Sequence, residues 1–171
     1  MRDYLFTLNR STYSKLAGLK SSFVAFSGDG TGRNNAGEAG AANHGPIPPG
    51  RYHIVDRPSG GRLGPVRDYL LGRDEWFALF RDDGTIDDET FVSGVRRGEF
   101  RLHPLGPRRM STGCIVLQYP ADFEKLRKEL VGSAPGTIDG SSLRSYGTIS
   151  VLEEIRLPPL HVPAGSNRGV A

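Results

Sequence analysis

The sequence lacks several features that would assign it to a class at once. Its 171 residues contain one cysteine, so an intramolecular disulfide is excluded. No stretch approaches the roughly 20 consecutive apolar residues that a transmembrane helix requires. The N-terminal residues carry charge from Arg2 onward, and we therefore expect neither a classical secretory signal nor a membrane span. The net charge of +3 is small and basic residues form no run longer than a pair, which argues against nucleic acid as a partner.

Turn-forming residues are abundant instead, since the chain has 23 glycines and 12 prolines. This composition disfavours an all-helical bundle and favours short strands joined by turns. A length of 171 residues suits one domain, because two domains would each be too small to bury a good core. We therefore expect a single mostly β (α+β) domain over residues 1–157, followed by a loosely held C-terminal tail over residues 158–171.

Local patterning predicts several strands and one helix. Short apolar or alternating runs typical of strands occupy residues 4–9, 22–27, 50–55, 76–80, 99–103, 113–117 and 151–157. A glycine-rich loop over residues 28–45 separates the second and third of these, and loops of this length inside a compact domain tend to be functional. The helix is expected at residues 122–130, with Asp122 as its N-cap and Gly132 ending it.

The segment from His103 to Cys114 carries the residues best suited to nucleophilic catalysis. A free thiol has a pKa of about 8.5 and needs a base or a cation nearby to react near neutral pH. A histidine at the end of one strand and a cysteine at the start of the next would face each other across a Gly/Pro loop. Arg108 and Arg109 in that loop would favour the thiolate. Gly113 leaves room for a substrate carbonyl, and the backbone N–H groups of Gly113 and Cys114 would form an oxyanion hole. The alternative interpretation is a hairpin with a core cysteine and a surface histidine.

Four further residues are candidate substrate contacts, namely Arg101, Arg108, Arg109 and Thr112. Arg101 alternates with His103 on one face of the predicted strand, so it would bind a substrate carboxylate or form an ion pair with one of the aspartates. His44, His53 and His161 are interpreted as surface, packing or tail residues. The histidines and the cysteine show no metal-ligand spacing, and we expect neither a metal nor another cofactor.

The motif formed by His103, a short loop, Ser111, Gly113, Cys114 and the apolar Ile115 resembles the active-site signature of the L,D-transpeptidases (YkuD-like family). Two upstream pieces are also similar to that family. One is the Pro-Pro-Gly turn and strand within residues 45–54, and the other is the Ser27-Gly28 step. Together these pieces cover roughly residues 22–118.

The motif also departs from that family's usual pattern. Thr112 stands where the family has a second histidine, Val116 replaces the usual Asn or Arg, and the loop between His103 and Cys114 is short. In these respects the chain looks more like the L,D-transpeptidase effectors of type VI secretion systems.

The resemblance implies a β-sandwich of the L,D-transpeptidase type, with one short helix after the catalytic strand. It implies that Cys114 is the nucleophile, that His103 is the general base and then the acid, and that Gly113 and Cys114 supply the oxyanion hole. Because a second motif histidine is missing, a carbonyl or a hydroxyl would hold the other ring nitrogen of His103. Ser111 is the nearest hydroxyl in sequence.

The same resemblance implies a substrate and a place of action. The substrate would be the tetrapeptide stem of peptidoglycan, cleaved between meso-diaminopimelate and the terminal D-alanine. Water (L,D-carboxypeptidase activity), a D-amino acid or another stem (L,D-transpeptidase activity) would accept the acyl group. The protein would be made in the cytoplasm, exported by a secretion-system carrier, and act as an antibacterial toxin in the periplasm of a target bacterium. A cognate immunity protein would be a further partner.

Two other hypotheses remain open from the sequence. In a papain-like cysteine amidase the cysteine precedes the histidine and opens a helix, whereas here His103 precedes Cys114 and the cysteine opens an apolar run. A non-catalytic β module would instead bind cell-wall or acidic ligands through Arg101, Arg108 and Arg109.

Overall fold

The computed structural model of the protein describes residues 2–57 and 75–155. These residues contain eleven strands and one α-helix, and the helix α1 is Pro120–Val131. The strands are β1 (Arg2–Leu8), β2 (Ser14–Gly18), β3 (Ser22–Phe26), β4 (Gly50–Asp56), β5 (Phe77–Arg81), β6 (Glu89–Val92), β7 (Val95–Gly98), β8 (Arg101–Pro104), β9 (Ile115–Leu117), β10 (Gly136–Thr137) and β11 (Arg144–Glu153).

Most strands belong to one sheet that closes on itself. The strand order is β1-β2-β3-β9-β8-β5-β4-β11, and β11 pairs back onto β1 while β10 extends beside β11. The pairs β1–β11 and β8–β9 are parallel, and the other pairs of this sheet are antiparallel. The strands β6 and β7 form a separate hairpin. The predicted mostly β fold with one short helix is therefore confirmed, in the form of a barrel-like closed sheet.

The main core lies on the inner face of this sheet, where side chains alternate with outward-facing ones. Phe6, Ile54, Leu102 and Ile115 are all fully buried there. The helix α1 contributes Leu126, together with Phe123 and Leu130, to the same cluster. Each such side chain stabilises the fold by about 1.5–3 kcal/mol relative to its exposed state. Because Leu102 and Ile115 point inward, their neighbours in β8 and at the start of β9 point outward.

The helix begins two residues earlier than predicted. Tyr119 is the N-cap, without a side-chain capping bond, and Pro120 opens the first turn. Proline is suited to that position because its missing N–H would have no helical partner there. The prediction of Asp122 as N-cap is therefore wrong, and Asp122 instead lies in the first turn, where a negative charge is favourable. Gly132 is the C-cap, as the sequence predicted.

Other boundaries also differ from prediction. The strands at the candidate site are shorter, because Glu99 (φ 55°) and Gly113 (φ 137°) have positive φ and interrupt the extended chain. The strand β2 and the hairpin β6–β7 were not predicted, and β11 begins at Arg144 rather than at Val151. The predicted tail over residues 158–171 lies outside the described residues. No helix in the described part of the chain is long and apolar enough to cross a membrane.

Candidate active site

His103 lies on β8, and Cys114 immediately precedes the neighbouring strand β9. The strands β8 and β9 are parallel, and their register places His103 beside Val116, two residues after Cys114. Since side chains alternate along a strand, His103, Val116 and Cys114 face the same, outer side of the sheet. A strand spacing of about 4.8 Å and a two-residue rise of about 6.6 Å put the α-carbons of His103 and Cys114 about 8 Å apart. An imidazole on one strand and a thiol on the other can close such a gap.

The ring of His103 is buried and held in one orientation. Its Nδ1 lies 2.8 Å from the carbonyl oxygen of Pro104. A carbonyl only accepts hydrogen bonds, so Nδ1 carries the proton and Nε2 carries the lone pair. The indole of Trp76 stacks on the imidazole with ring centroids 4.1 Å apart and an interplanar angle of 14°. The neutral ring therefore has the tautomer that a general base requires at Nε2.

Cys114 is half-buried and lies immediately before β9. Burial raises the pKa of its thiol above the ordinary value, and the nearby carboxylates of Asp88 and Glu99 act in the same direction. The backbone N–H and the guanidinium of Arg101 oppose this rise in pKa. The thiol points towards the carbonyl oxygen of Glu99, 3.9 Å from Sγ. The resting group is therefore a neutral thiol, which needs a base to remove its proton.

The turn before the cysteine is fixed by two serine hydroxyls. The hydroxyl of Ser111 donates to the carbonyl of Cys114 at 2.7 Å and accepts the N–H of Gly113 at 3.1 Å. The hydroxyl of Ser27 donates to the carbonyl of Gly113 at 3.2 Å and accepts the N–H of Ile47 at 2.8 Å. In a trans peptide the C=O and N–H point in opposite directions. The Cys114 N–H therefore points away from Ser27.

Gly113 occupies a position that has no room for a side chain. Its φ of 137° disfavours other residues. A Cβ there would lie 2.8 Å from a carbon of the Phe100 ring and 2.9 Å from Nη2 of Arg97. The turn can therefore come this close to both side chains only because the residue is glycine.

We expect a Gly113→Ala variant to lose about 1–3 kcal/mol of unfolding free energy, from overpacking and backbone strain, and to lose turnover as the cysteine shifts. Gly106→Ala is the control, because a Cβ at that position meets nothing within 4 Å. Urea unfolding and product formation measure the two effects. Equal behaviour of the two variants would contradict this account of the turn.

Arg97 is a buried guanidinium that fastens the cysteine turn to the glycine-rich loop. Its Nη2 donates to the carbonyls of Thr112 at 3.1 Å and Gly45 at 3.2 Å, and its Nη1 donates to the carbonyl of Ala39. Burial lowers its pKa. Among the described residues it forms no ion pair with a carboxylate, so backbone dipoles compensate for the loss of hydration.

The four candidate substrate contacts differ in their placement. Arg101 forms a two-pronged ion pair with Asp88, at 2.7 and 2.5 Å, so the ion-pair alternative raised by the sequence is the one the structure shows. Its guanidinium, rather than those of Arg108 and Arg109, lowers the pKa of the Cys114 thiol. Arg108 and Arg109 are exposed and do not line the cavity around Cys114. Thr112 does line it.

This cavity has a volume of about 550 Å³. On one side lie Cys114 and the two residues before it, and on the other lie the β6–β7 hairpin and the turn that follows it. The charged residues among its walls are Asp88, Glu89, Arg96, Arg97 and Glu99. The candidate nucleophile therefore opens into a space that holds a peptide-sized group between walls of both signs.

The other histidines lie away from this arrangement. His44 is near Glu38, at 3.3 Å, and His53 is a buried β4 residue 3.6 Å from Asp82. Burial lowers the pKa of His53. His161 lies outside the described residues. Within the described part of the chain, no three His, Cys, Asp or Glu side chains form a group suited to hold a metal ion.

Sequence reasoning missed three residues that shape the site. The sequence predicted Trp76 only as a strand residue and gave no role to Arg97. Ser27 was noted only because the Ser27-Gly28 step resembles the L,D-transpeptidase family. The chain has a single tryptophan, but its proximity to His103 depends on the pairing of β5 with β8, which the sequence does not show. Nothing in the sequence marked Arg97, whose partners are carbonyls more than 50 residues away as well as Thr112.

Comparison with known proteins gives one match. The family model described as the Tlde1 domain matches residues 21–138, which is more than half of the chain. Members of that family are type VI secretion effectors. The matched range contains His103, Cys114 and the cavity residues named above. No curated protein and no solved structure matches the chain.

Proposed function

We propose that this chain, which belongs to the Tlde1 domain family of type VI secretion effectors, acts as a cysteine acyltransferase on the tetrapeptide stems of peptidoglycan. The observation that carries the proposal is the pairing of β8 with β9. It puts His103, whose tautomer is fixed, on the strand next to the one that follows Cys114, and Cys114 lines a cavity.

In the first half of the reaction the thiol attacks the stem. The His103 Nε2 takes the proton from Sγ of Cys114 while the sulfur attacks the carbonyl carbon that precedes the terminal D-alanine. The C–N bond then breaks, and the leaving amine takes that proton back from His103. The products are free D-alanine and a thioester between the stem and Cys114.

In the second half an acceptor releases the stem. Water, the amine of a D-amino acid or an amine of another stem loses a proton to His103 and attacks the thioester carbon. The C–S bond breaks, and the sulfur recovers its proton through His103. The result is a shortened stem with water, an exchanged stem with a D-amino acid, and a cross-link with another stem.

The oxyanion of both tetrahedral intermediates needs donors beside the sulfur. The N–H of Cys114 is such a donor, because Ser27 holds the preceding carbonyl on the opposite side of the peptide plane. The N–H of Gly113, the other donor expected from the sequence, already donates to the hydroxyl of Ser111 at 3.1 Å and is therefore not available in this geometry. In this scheme Ser111 holds the turn, since its hydroxyl already bonds to the backbone of Cys114 and Gly113.

The direct test uses purified disaccharide-tetrapeptide muropeptides. Incubation with the protein should release D-alanine, and addition of D-methionine should yield a stem carrying D-methionine, both read by mass spectrometry. Products cut at another peptide bond of the stem would support the papain-like amidase instead. No product at all from a folded protein would favour the non-catalytic wall-binding module.

Toxicity should depend on the compartment in which the protein is made. The proposed substrate lies outside the cytoplasmic membrane, so cytoplasmic expression in a susceptible bacterium should be tolerated. Fusion to a periplasmic signal should cause swelling or lysis, and the matched Cys114→Ala fusion should not. Microscopy and colony counts measure the effect. Equal toxicity in both compartments would point to a cytoplasmic target.

Two protein partners follow from the effector proposal. A secretion-system carrier would deliver the protein, and a cognate immunity protein would protect the producing cell. Co-expression of an immunity protein in the periplasm should restore growth under the toxic fusion.

A further inference from the structure

One carboxylate in the cavity beside Cys114, that of Glu99, has no ion-pair partner in direct contact within the described ranges. The guanidinium of Arg96, which is paired with Glu89, acts on the charge of Glu99 only from beyond ion-pair distance. Of the three acidic residues in its walls, Asp88 is paired with Arg101 and Glu89 with Arg96. The exposed side chain of Glu99 forms no hydrogen bond or ion pair with another residue of the described ranges. A carboxylate in this position offers two acceptor oxygens to whatever enters the cavity.

Backbone contacts hold Glu99 next to the thiol of Cys114. Its φ is 55°, a left-handed conformation that non-glycine residues rarely adopt. Its N–H donates to the carbonyl of Asp88 at 3.1 Å, and its own carbonyl oxygen lies 3.9 Å from Sγ of Cys114. Backbone strain of this kind persists where the surroundings hold a residue in place, often at a functional site. The side chain therefore starts from a point next to the reacting sulfur.

We propose that Glu99 is the specificity residue that binds a primary ammonium group of the substrate in this cavity. A free carboxylate and an ammonium form a strong charge-assisted hydrogen bond. The inference rests on the proposed acyl transfer, and it adds the residue that recognises an amine. Two amines of the reaction have this chemistry, namely the α-ammonium of an amino-acid acceptor and the side-chain ammonium of diaminopimelate in the donor stem.

An acceptor held in this way still has to become a nucleophile. Its ammonium loses one proton to Nε2 of His103, and the neutral nitrogen then attacks the thioester carbon. His103 releases this first proton to solvent. During the attack the nitrogen gives its second proton to Nε2 of His103, which returns it to the sulfur as the C–S bond breaks. Glu99 does not change its protonation in this sequence and acts by holding the amine near the thioester.

The test compares the wild type with Glu99→Gln, which keeps the size of the side chain and removes its charge. The acceptor arm measures the ratio of D-methionine exchange to hydrolysis on the tetrapeptide muropeptide. The donor arm measures KM for that muropeptide and for the same compound acetylated on its side-chain amine. Glu124→Gln is the charge-matched control, because Glu124 is exposed on α1 and does not line the cavity.

We expect Glu99→Gln to change one of these two quantities, the exchange-to-hydrolysis ratio or the KM for the free-amine muropeptide, by about tenfold. A tenfold fall in the exchange ratio identifies the acceptor as the bound amine. A tenfold rise in KM for the free-amine muropeptide, without a rise for the acetylated one, identifies the donor stem. The proposal is overturned if the wild type cleaves the stem but neither arm moves, if the acetylated compound is affected equally, or if Glu124→Gln gives the same shift. A wild type that releases no D-alanine would refute the proposed function instead.

Discussion

A Cys114→Ala variant is expected to lose at least about a thousandfold in D-alanine release, because no other residue can form the acyl intermediate. The chain has no second thiol to replace it. The fold should survive, because Cys114 is half-buried and the contacts of its Sγ within the described residues are weak sulfur hydrogen bonds, with the Glu99 carbonyl at 3.9 Å and with the backbone N–H of Arg101. Muropeptide turnover and thermal unfolding measure the two quantities on the same preparation.

Cys114→Ser is the informative companion variant. A hydroxyl nearly preserves the shape but is a much weaker nucleophile than a thiol, so Ser should be almost as inactive as Ala. The wild type treated with muropeptide and quenched should carry the mass of one stem lacking its terminal D-alanine, and neither variant should. Normal turnover by a folded Cys114→Ala protein would show that Cys114 is not the nucleophile.

The sequence was sufficient to predict the parts of the site that depend on local pattern. The alternation through Arg101, Leu102 and His103 predicted a strand with its charged residues on one face, and the structure has β8 there. The small residues before Cys114 predicted a tight turn, and Gly113 adopts the positive φ that such a turn requires. These features follow from steric preferences of single residues and their neighbours.

Pairing between distant segments could not be predicted in the same way. A short Gly/Pro loop between two strands favours a hairpin, yet β8 and β9 are parallel neighbours. The closure of the sheet through β1 and β11 joins residues more than 140 positions apart. Register and direction in such pairs are set by burial of whole faces, which a single stretch of sequence does not contain.

Electrostatic roles were the least predictable part of the site. Arg108 and Arg109 lie in the loop between His103 and Cys114, and closeness in sequence suggested that they act on the thiol. In the structure it is the guanidinium of Arg101 that acts to lower the pKa of the thiol, because its strand β8 lies beside the turn that carries Cys114. It also pairs Arg101 with Asp88, so part of its charge is neutralised. Distance in space rather than in sequence decides which charge a buried sulfur experiences.

A His103→Gln variant is expected to lose about 10²–10⁴-fold in the rate of acylation at neutral pH, as is usual when a general base is removed. In the proposed mechanism the wild-type imidazole takes the proton during attack, so the wild-type rate should not depend on the resting thiolate. Without the base, only the thiolate already present can react. Burial raises the pKa of the Cys114 thiol, so this fraction is small at neutral pH.

Because the pKa of the Cys114 thiol is raised, the acylation rate of His103→Gln should depend on pH differently from the wild-type rate. Below the raised pKa of Cys114, the thiolate fraction grows tenfold for each pH unit, and the rate of His103→Gln should rise with that slope. The wild-type rate should change far less over the same range. Single-turnover acylation between pH 6 and 9, at about unit steps, measures both profiles. Parallel profiles for the two proteins would show that His103 does not remove the thiol proton, because the thiolate fraction would then limit both enzymes alike.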